Sequence, residues 1–191
     1  GCGSTSVMKN ITRYYLDNEK IHSTIIISSD NDWEKFYPEK NPQIISTCLN
    51  DEECIEQVWH KQKERIKKNR LHRLLFVIDH YTDYKDKNAL TDILMNSRHF
   101  NTTLILGMSY SSLKPYLRTS IDVVCLCRES NTTNMKKLYN HYGGMFPSFD
   151  IFHKTMNNLT KNYMTMVINS DKHPINTTSK EMIENTTSWF K

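Results

Sequence analysis

The run Leu74-Leu75-Phe76-Val77-Ile78 closing on Asp79 constrains this chain more than any other stretch. Arg73 opens it, and the polar segment Asp79-His80-Tyr81-Thr82-Asp83 ends it. An apolar strand with no polar alternation is buried on both faces, which places it inside a parallel sheet rather than in a half-wet antiparallel one. An acid at the carboxyl end of such a strand stands where open α/β sheets bind their ligands. There it can hold the magnesium of a nucleotide, usually through water. The other reading is a core strand that stops at a turn or N-capping aspartate. The run alone leaves both open.

The rest of the chain alternates helical and extended patterns. A small-residue turn, Gly1 to Ser6, feeds a helix over Thr5 to Asn18 whose apolar stripe is Met8, Ile11, Thr12, Tyr15 and Leu16. Strands are predicted at Ile21–Ser28 and, after a polar loop over Asp30–Pro42, at Gln43–Leu49. A second helix opens on Asn50-Asp51-Glu52-Glu53 and ends in basic residues, as the helix dipole favours. Its buried face is expected at Ile55, Val58, Trp59, Gln62 and Ile66.

After the Asp79 strand, Asn88 is expected to cap a short helix with Leu90, Ile93 and Leu94. Thr102–Ser109 reads as a strand, Lys114-Pro115 to Arg118 as a short helix, and Ile121–Cys127 as another strand. Asn131–Tyr142 is a helix stopped by Gly143-Gly144. One or two helical turns follow at Ser148–Asn157, then a last strand at Tyr163–Asn169. The sum is an α/β sandwich with a mainly parallel sheet, a core over residues 1–170 and a polar tail over 171–191.

Composition narrows the function classes. With 191 residues, one domain of ordinary size is expected, and the formal charge of +4 permits nucleic-acid contact without demanding it. No run approaches the ~20 apolar residues of a membrane helix. The five cysteines are odd in number and lack metal-ligand spacing, which fits a reducing interior rather than a disulfide scaffold. Cys125 and Cys127, two apart on a strand, are expected to face one side as small core residues. The six Asn-x-Ser/Thr sequons are expected by chance in a chain this rich in Asn and Thr.

Three constellations could carry chemistry. Gly3-Ser4-Thr5 stands where the Gly-Lys-Thr of a G-x-x-x-x-G-K-[ST] phosphate loop would, directly before a helix. His80 stands where a hydrolysing enzyme usually places a water-polarising acid after its magnesium aspartate. Lys61 to Arg73 holds seven Lys/Arg against one acid, either a solvated helix end or a surface for DNA phosphates.

One segment is more specific: Ser97-Arg98-His99-Phe100-Asn101-Thr102-Thr103-Leu104-Ile105-Leu106, followed by Ser109 and Leu117-Arg118-Thr119-Ser120-Ile121-Asp122. On these residues the chain, from Gly1 to about Asn169, resembles the poxvirus-type genome-packaging ATPases of the FtsK–HerA P-loop superfamily. The resemblance implies a P-loop NTPase-like three-layer sandwich that begins inside its phosphate loop. It further implies ATP and Mg2+ as cofactors and a ring of identical subunits driving double-stranded DNA into a capsid. Capsid or membrane-vertex proteins would be partners, in the viral factory of the host cytoplasm or the virion.

By position the resemblance puts Gly1, Gly3, Ser4, Thr5 and Ser6 in the nucleotide loop and Thr5 with Asp79 on magnesium. Ser109 falls at the γ-phosphate sensor, and Arg98 and Arg118 become candidates to reach a phosphate in the same or a neighbouring subunit. Three positions depart from the family pattern: Ser4 for lysine, His80 for the acid and Ser109 for glutamine. Weak or absent hydrolysis is the expectation. The alternatives are a non-catalytic P-loop-fold subunit or DNA-binding structural partner, and an unrelated small α/β protein.

Overall fold

The structure, a computed structural model, describes residues 3–28, 33, 43–45, 52–81, 88–108 and 113–169. They fall into two compact units, one of Thr5–Ser120 and one of Ile121–Lys191 with Gly1–Ser4. The predicted tail over 171–191 lies outside the described residues, as do Gly1 and Ser109.

The first unit is an α/β sandwich. Helix α1 (Ser4–Asn18) leads into β1 (Ser23–Ile27), β2 (Gln43–Ile45), α2 (Glu52–Lys68), β3 (Leu74–Tyr81), α3 (Asn88–Asn96), β4 (Thr102–Met108) and α4 (Pro115–Arg118). The strands are all parallel, in the order β2-β1-β3-β4. The apolar run thus lies where its composition required, between β1 and β4, with Leu74 to Asp79 all buried.

Alternation along β3 sorts its side chains between two layers. Leu75 and Val77 join Ile26 and Trp33 under Met8 of α1, with Tyr15 and Leu16 packed alongside. Leu74, Phe76 and Ile78 point the other way and are at most 2 % exposed. Right-handed crossovers put α2 and α3 together on that second face. They do meet: Trp59 Nε1 donates to Asp92 Oδ2 at 2.6 Å and Lys63 Nζ to the same oxygen at 3.0 Å. Burial pushes the Asp92 carboxyl up, but the bonds from Trp59, Lys63 and Asn96 outweigh it and hold its pKa below the usual range.

Four of the five residues predicted for the buried face of α2 are buried, Ile66 being half-exposed. Gln62 belongs there because its amide has work to do. Its Nε2 donates to the Phe100 carbonyl at 2.8 Å and the His72 carbonyl at 3.3 Å, tying α2 to the turns that enter β3 and β4. Asn88 is the first residue of α3 rather than its cap.

The second unit carries β5 (Val123–Leu126), α5 (Thr132–Tyr142), α6 (Phe149–Leu159), a 3-10 turn (Lys161–Tyr163) and β6 (Met166–Asn169). Here the mainly parallel expectation meets its exception, since β5 and β6 form an antiparallel pair of their own. Their inner face meets α5 and α6 in a cluster of Leu126, Met135, Phe146, Phe152, Met156, Met166 and Ile168. The Ser148–Asn157 stretch, expected as a turn or two, is the full helix α6. Its period places Phe152 and Met156 in that cluster, both 0 % exposed.

Two expectations are corrected in this unit. Cys125 and Cys127 do share one face, but Val124 and Leu126 take the core side, so both thiols are half-buried on the other. Burial, with Cys127 beside it, pushes the Cys125 thiol up to about 11, so it is protonated and inert as a nucleophile at neutral pH. Gly143 ends α5 without a left-handed cap, at φ −87°. A glycine stands there because a Cβ would collide with the Tyr139 ring and carbonyl.

Candidate functional site

Asp79 ends the unbroken buried run of β3, toward the carboxyl ends of β1 and β3, and is 1 % exposed. The chain leaves β1 toward β2 on one side and β3 toward β4 on the other, so this is the switch point where open sheets form their binding crevice. Its two oxygens are in different situations. Oδ2 accepts from Trp33 Nε1 at 3.0 Å and from Ser28 Oγ at 3.4 Å. Oδ1 is buried with no hydrogen-bond partner among the described residues.

A carboxylate oxygen left in that state is costly to the fold unless a cation or ordered water completes it. Gly107 of the adjacent strand keeps its surroundings open. A Cβ there would lie 3.3 Å from Oδ1 and overlap the Met8 thioether.

The backbone beyond Asp79 is irregular in a way that shapes the site. The β3–β4 ladder loses register between Ile78 and Tyr81, and His80 adopts φ 58°, a left-handed conformation unusual outside glycine. This bulge leaves His80 exposed between two groups, its Nε2 3.3 Å from Thr5 Oγ1 and 3.8 Å from Asp79 Oδ1. Thr5 lies in the first turn of α1. Two of the expected magnesium ligands, separated by 74 positions in sequence, therefore share one histidine as neighbour. A hydroxyl and a carboxylate oxygen are the hard donors that magnesium takes, so the residues present fit that ion.

The remaining candidates divide. Gly3 has φ 84°, as a tight turn before a helix requires, and Ser4 starts α1 with Ser6 exposed behind it. Arg118 ends α4, which follows the carboxyl end of β4, and its Nη1 donates to the Leu113 carbonyl at 3.0 Å. Arg98 is exposed in the turn before β4, whose first residue pairs with Leu74. At ~3.3 Å per residue, Asp79 is about 17 Å further up the sheet. Arg98 and Asp79 do not come together in one chain.

Trp33, Ser28 and Gly107 were missed by sequence reasoning. Trp33 carried one signal: a large aromatic with a polar edge in the segment that follows β1.

At the opposite end of the sheet, Lys20, His22, Asn69, Leu71 and Arg73 line a cavity of about 340 Å³. His72 lies beside it, its Nε2 3.0 Å from Ser23 Oγ. Burial, with Arg65 and His22 nearby, holds its pKa below the ordinary histidine value. Between its folded and unfolded pKa values the unfolded chain binds more protons, so stability falls as pH drops through that window. Thermal melts at about pH 8 and about pH 5 should show a loss at acid pH that is smaller in His72→Asn.

No family model matches the chain. It is 25% identical over 205 residues to uncharacterized protein L437 of Acanthamoeba polyphaga mimivirus, covering all of this chain and 69% of that protein. It is 28% identical over 179 residues to uncharacterized protein 075L of Invertebrate iridescent virus 6, covering 89% of this chain and 67% of that one. Among solved structures it matches the genome-packaging NTPase B204 of Sulfolobus turreted icosahedral virus 2 in complex with AMP. The TM-score is 0.67 at 19% identity, over 89% of this chain and 88% of that one.

The chain has the fold of a viral genome-packaging NTPase. That NTPase has also been solved with AMPPCP, a match of TM-score 0.66 at the same identity. Its counterpart from Sulfolobus turreted icosahedral virus is described as a DNA-packaging ATPase. No helix among the described residues is long and apolar enough to cross a membrane.

Proposed function

We propose that this chain is a nucleotide-binding subunit of a poxvirus-type viral DNA-packaging motor, with weak hydrolysis of its own. The observation that carries the reading is the unpartnered, buried Oδ1 of Asp79 at the switch point, with Thr5 brought near through His80. The Gly3–Thr5 turn and the start of α1 would bind phosphate oxygens through backbone N–H groups. Thr5 and Asp79 would hold Mg2+, which when bound neutralises charge on the β- and γ-phosphates. Trp33 and Ser28 hold Oδ2 and so leave Oδ1 to face the ion or its water.

Weak hydrolysis follows from what stands at Ser4 and His80. Ser4 brings no charge to the developing phosphate anion. His80 Nε2 lies beside the Thr5 hydroxyl rather than carrying a fixed negative charge toward a water. Double-stranded DNA is the proposed substrate of the assembled motor, a ring of identical subunits docked on capsid or vertex proteins in the viral factory or virion. Arg98, exposed and remote from Asp79 in its own chain, is the arginine we assign to the site of a neighbouring subunit.

Calorimetric titration with ATP, with and without Mg2+, tests the reading. The chain should bind Mg·ATP, and Asp79→Asn should weaken that binding about 10–100-fold while leaving magnesium-free ATP unaffected. Equal affinities with and without the ion in the unmodified chain would remove Asp79 from the metal site.

A further inference from the structure

The cavity at the amino ends of β1 and β3 has no part in nucleotide binding. Its lining, Lys20, His22, Asn69, Leu71 and Arg73, comes from the segments that enter those two strands. Backbone bonds join the two segments. Arg73 N donates to His22 Nδ1 at 3.1 Å, across 51 positions of sequence, and His22 N donates to the Arg73 carbonyl at 3.0 Å. Asn69 Oδ1 accepts from Leu71 N at 3.0 Å, and Asn101 Nδ2 donates to the Arg70 carbonyl at 2.6 Å. The backbone that carries the cations is therefore set before any ligand arrives, which lowers the cost of binding.

Positive charge gathers there from more than one source. Helix α2 carries Glu52 and Glu53 in its first turn and Arg65, Lys67 and Lys68 in its last, as its dipole favours. The dipole accounts for those bases, but Lys20 and Arg70 lie outside the helix. Both are exposed, and no carboxylate among the described residues pairs with either, whereas Arg73 pairs with Glu19 at 3.2 Å. Like charges held close repel, and an anionic ligand relieves the repulsion. After burial, Arg65 and His22 are what lower the pKa of His72 beside the cavity, the sign of a positive local field.

Leu71, 76% exposed, stands among these cations as an apolar surface. A sugar–phosphate backbone is its complement, charged oxygens alternating with apolar ring carbons. No Phe, Tyr or Trp lines the cavity, so it lacks the stacking platforms on which single strands are bound.

We infer that this basic edge seats the sugar–phosphate backbone of double-stranded DNA, with one phosphate in the cavity between Lys20 and Arg73 and another beside Arg70. The inference rests on the reading that duplex DNA is the substrate, and it names the surface that holds it. Contacts to phosphate and sugar position a duplex without reading its sequence. At ~3.3 Å per residue, the start of β3 is about 17 Å from Asp79, so the DNA surface and the proposed magnesium site occupy opposite ends of one sheet.

The test is fluorescence anisotropy of a labelled short duplex over a series of salt concentrations, on the unmodified chain and on Lys20→Gln/Arg70→Gln. A control, Arg128→Gln/Lys154→Gln, removes the same charge from exposed positions of the second unit. Each phosphate contact contributes about 0.9 to the slope of log affinity against log salt, so the slope should fall by about 1.8 in the first variant. The control should keep its slope, and two duplexes of unrelated sequence should bind alike. Equal losses in both variants overturn the inference, by assigning the binding to net charge. An unchanged slope in Lys20→Gln/Arg70→Gln overturns it too, as does tighter binding of a single strand or of phosphatidylserine vesicles than of the duplex. Mg·ATP affinity should be the same in both variants as in the unmodified chain. An unmodified chain that binds Mg·ATP but no duplex defeats the DNA surface and leaves the nucleotide reading standing. One that binds duplex in the predicted way but no Mg·ATP does the reverse.

Discussion

The double substitution Ser4→Lys, His80→Glu should raise Mg·ATP turnover by about 100–1000-fold over the unmodified chain. The lysine would add a positive charge at the start of α1, where negative charge builds on the transferred phosphoryl oxygens. Charge placed against a developing anion is usually the largest single contribution to such catalysis. The glutamate would add the carboxylate that orients an attacking water.

The same change should cost stability, because residue 80 sits at φ 58°. Histidine is among the residues enriched there, whereas glutamate has no such preference, and the Thr5 neighbour is lost as well. A drop of ~1 kcal/mol is expected by denaturant titration. Steady-state phosphate release measures the gain. Turnover in the unmodified chain already equal to that of the double variant would refute the view that Ser4 and His80 limit hydrolysis.

Trp33→Phe should destabilise the first unit by ~1.5–3 kcal/mol, the range for a hydrogen bond to a charged group. Phenylalanine keeps most of the apolar contact under Met8 but removes the donor that holds Asp79 Oδ2 at 3.0 Å. Among the described residues the carboxylate, already without a hydrogen-bond partner at Oδ1, would keep Ser28 at 3.4 Å. A double-mutant cycle isolates the effect. In an Asp79→Asn background the loss should shrink, with a coupling of ~0.5–3 kcal/mol. Additive losses would show that Trp33 acts through packing alone, and that the free oxygen of Asp79 is not set by the indole.

Much of the architecture was legible because it rests on local patterns. The period of Met8, Thr12 and Tyr15 marked α1, acids and bases at the two ends marked α2, and the unbroken apolar run marked β3. The reading weakened where a segment's partner, not its own pattern, decides its structure. The strand at Ile121–Cys127 was visible, but its antiparallel pairing with β6 was not. An i,i+2 pair such as Cys125 and Cys127 shows that two residues share a face, not which face meets the core. Arg98 and Asp79 both belonged to the candidate set, and only the strand register revealed that one stands at the amino ends of the sheet and the other at the carboxyl ends.

By itself the sequence determined that Leu74–Ile78 is a buried strand of a parallel sheet with an acid, Asp79, at its carboxyl end. A β-branched and aromatic run of that composition is stable as a strand only where both of its faces are covered. Only the tertiary structure decided the state of that carboxylate. The indole 46 positions away on Trp33 takes one oxygen, and the left-handed bulge at His80 and the missing side chain of Gly107 leave room around the other. Hydrogen-bond partners brought together by folding are not encoded in local periodicity, and they set which oxygen of Asp79 remains to bind.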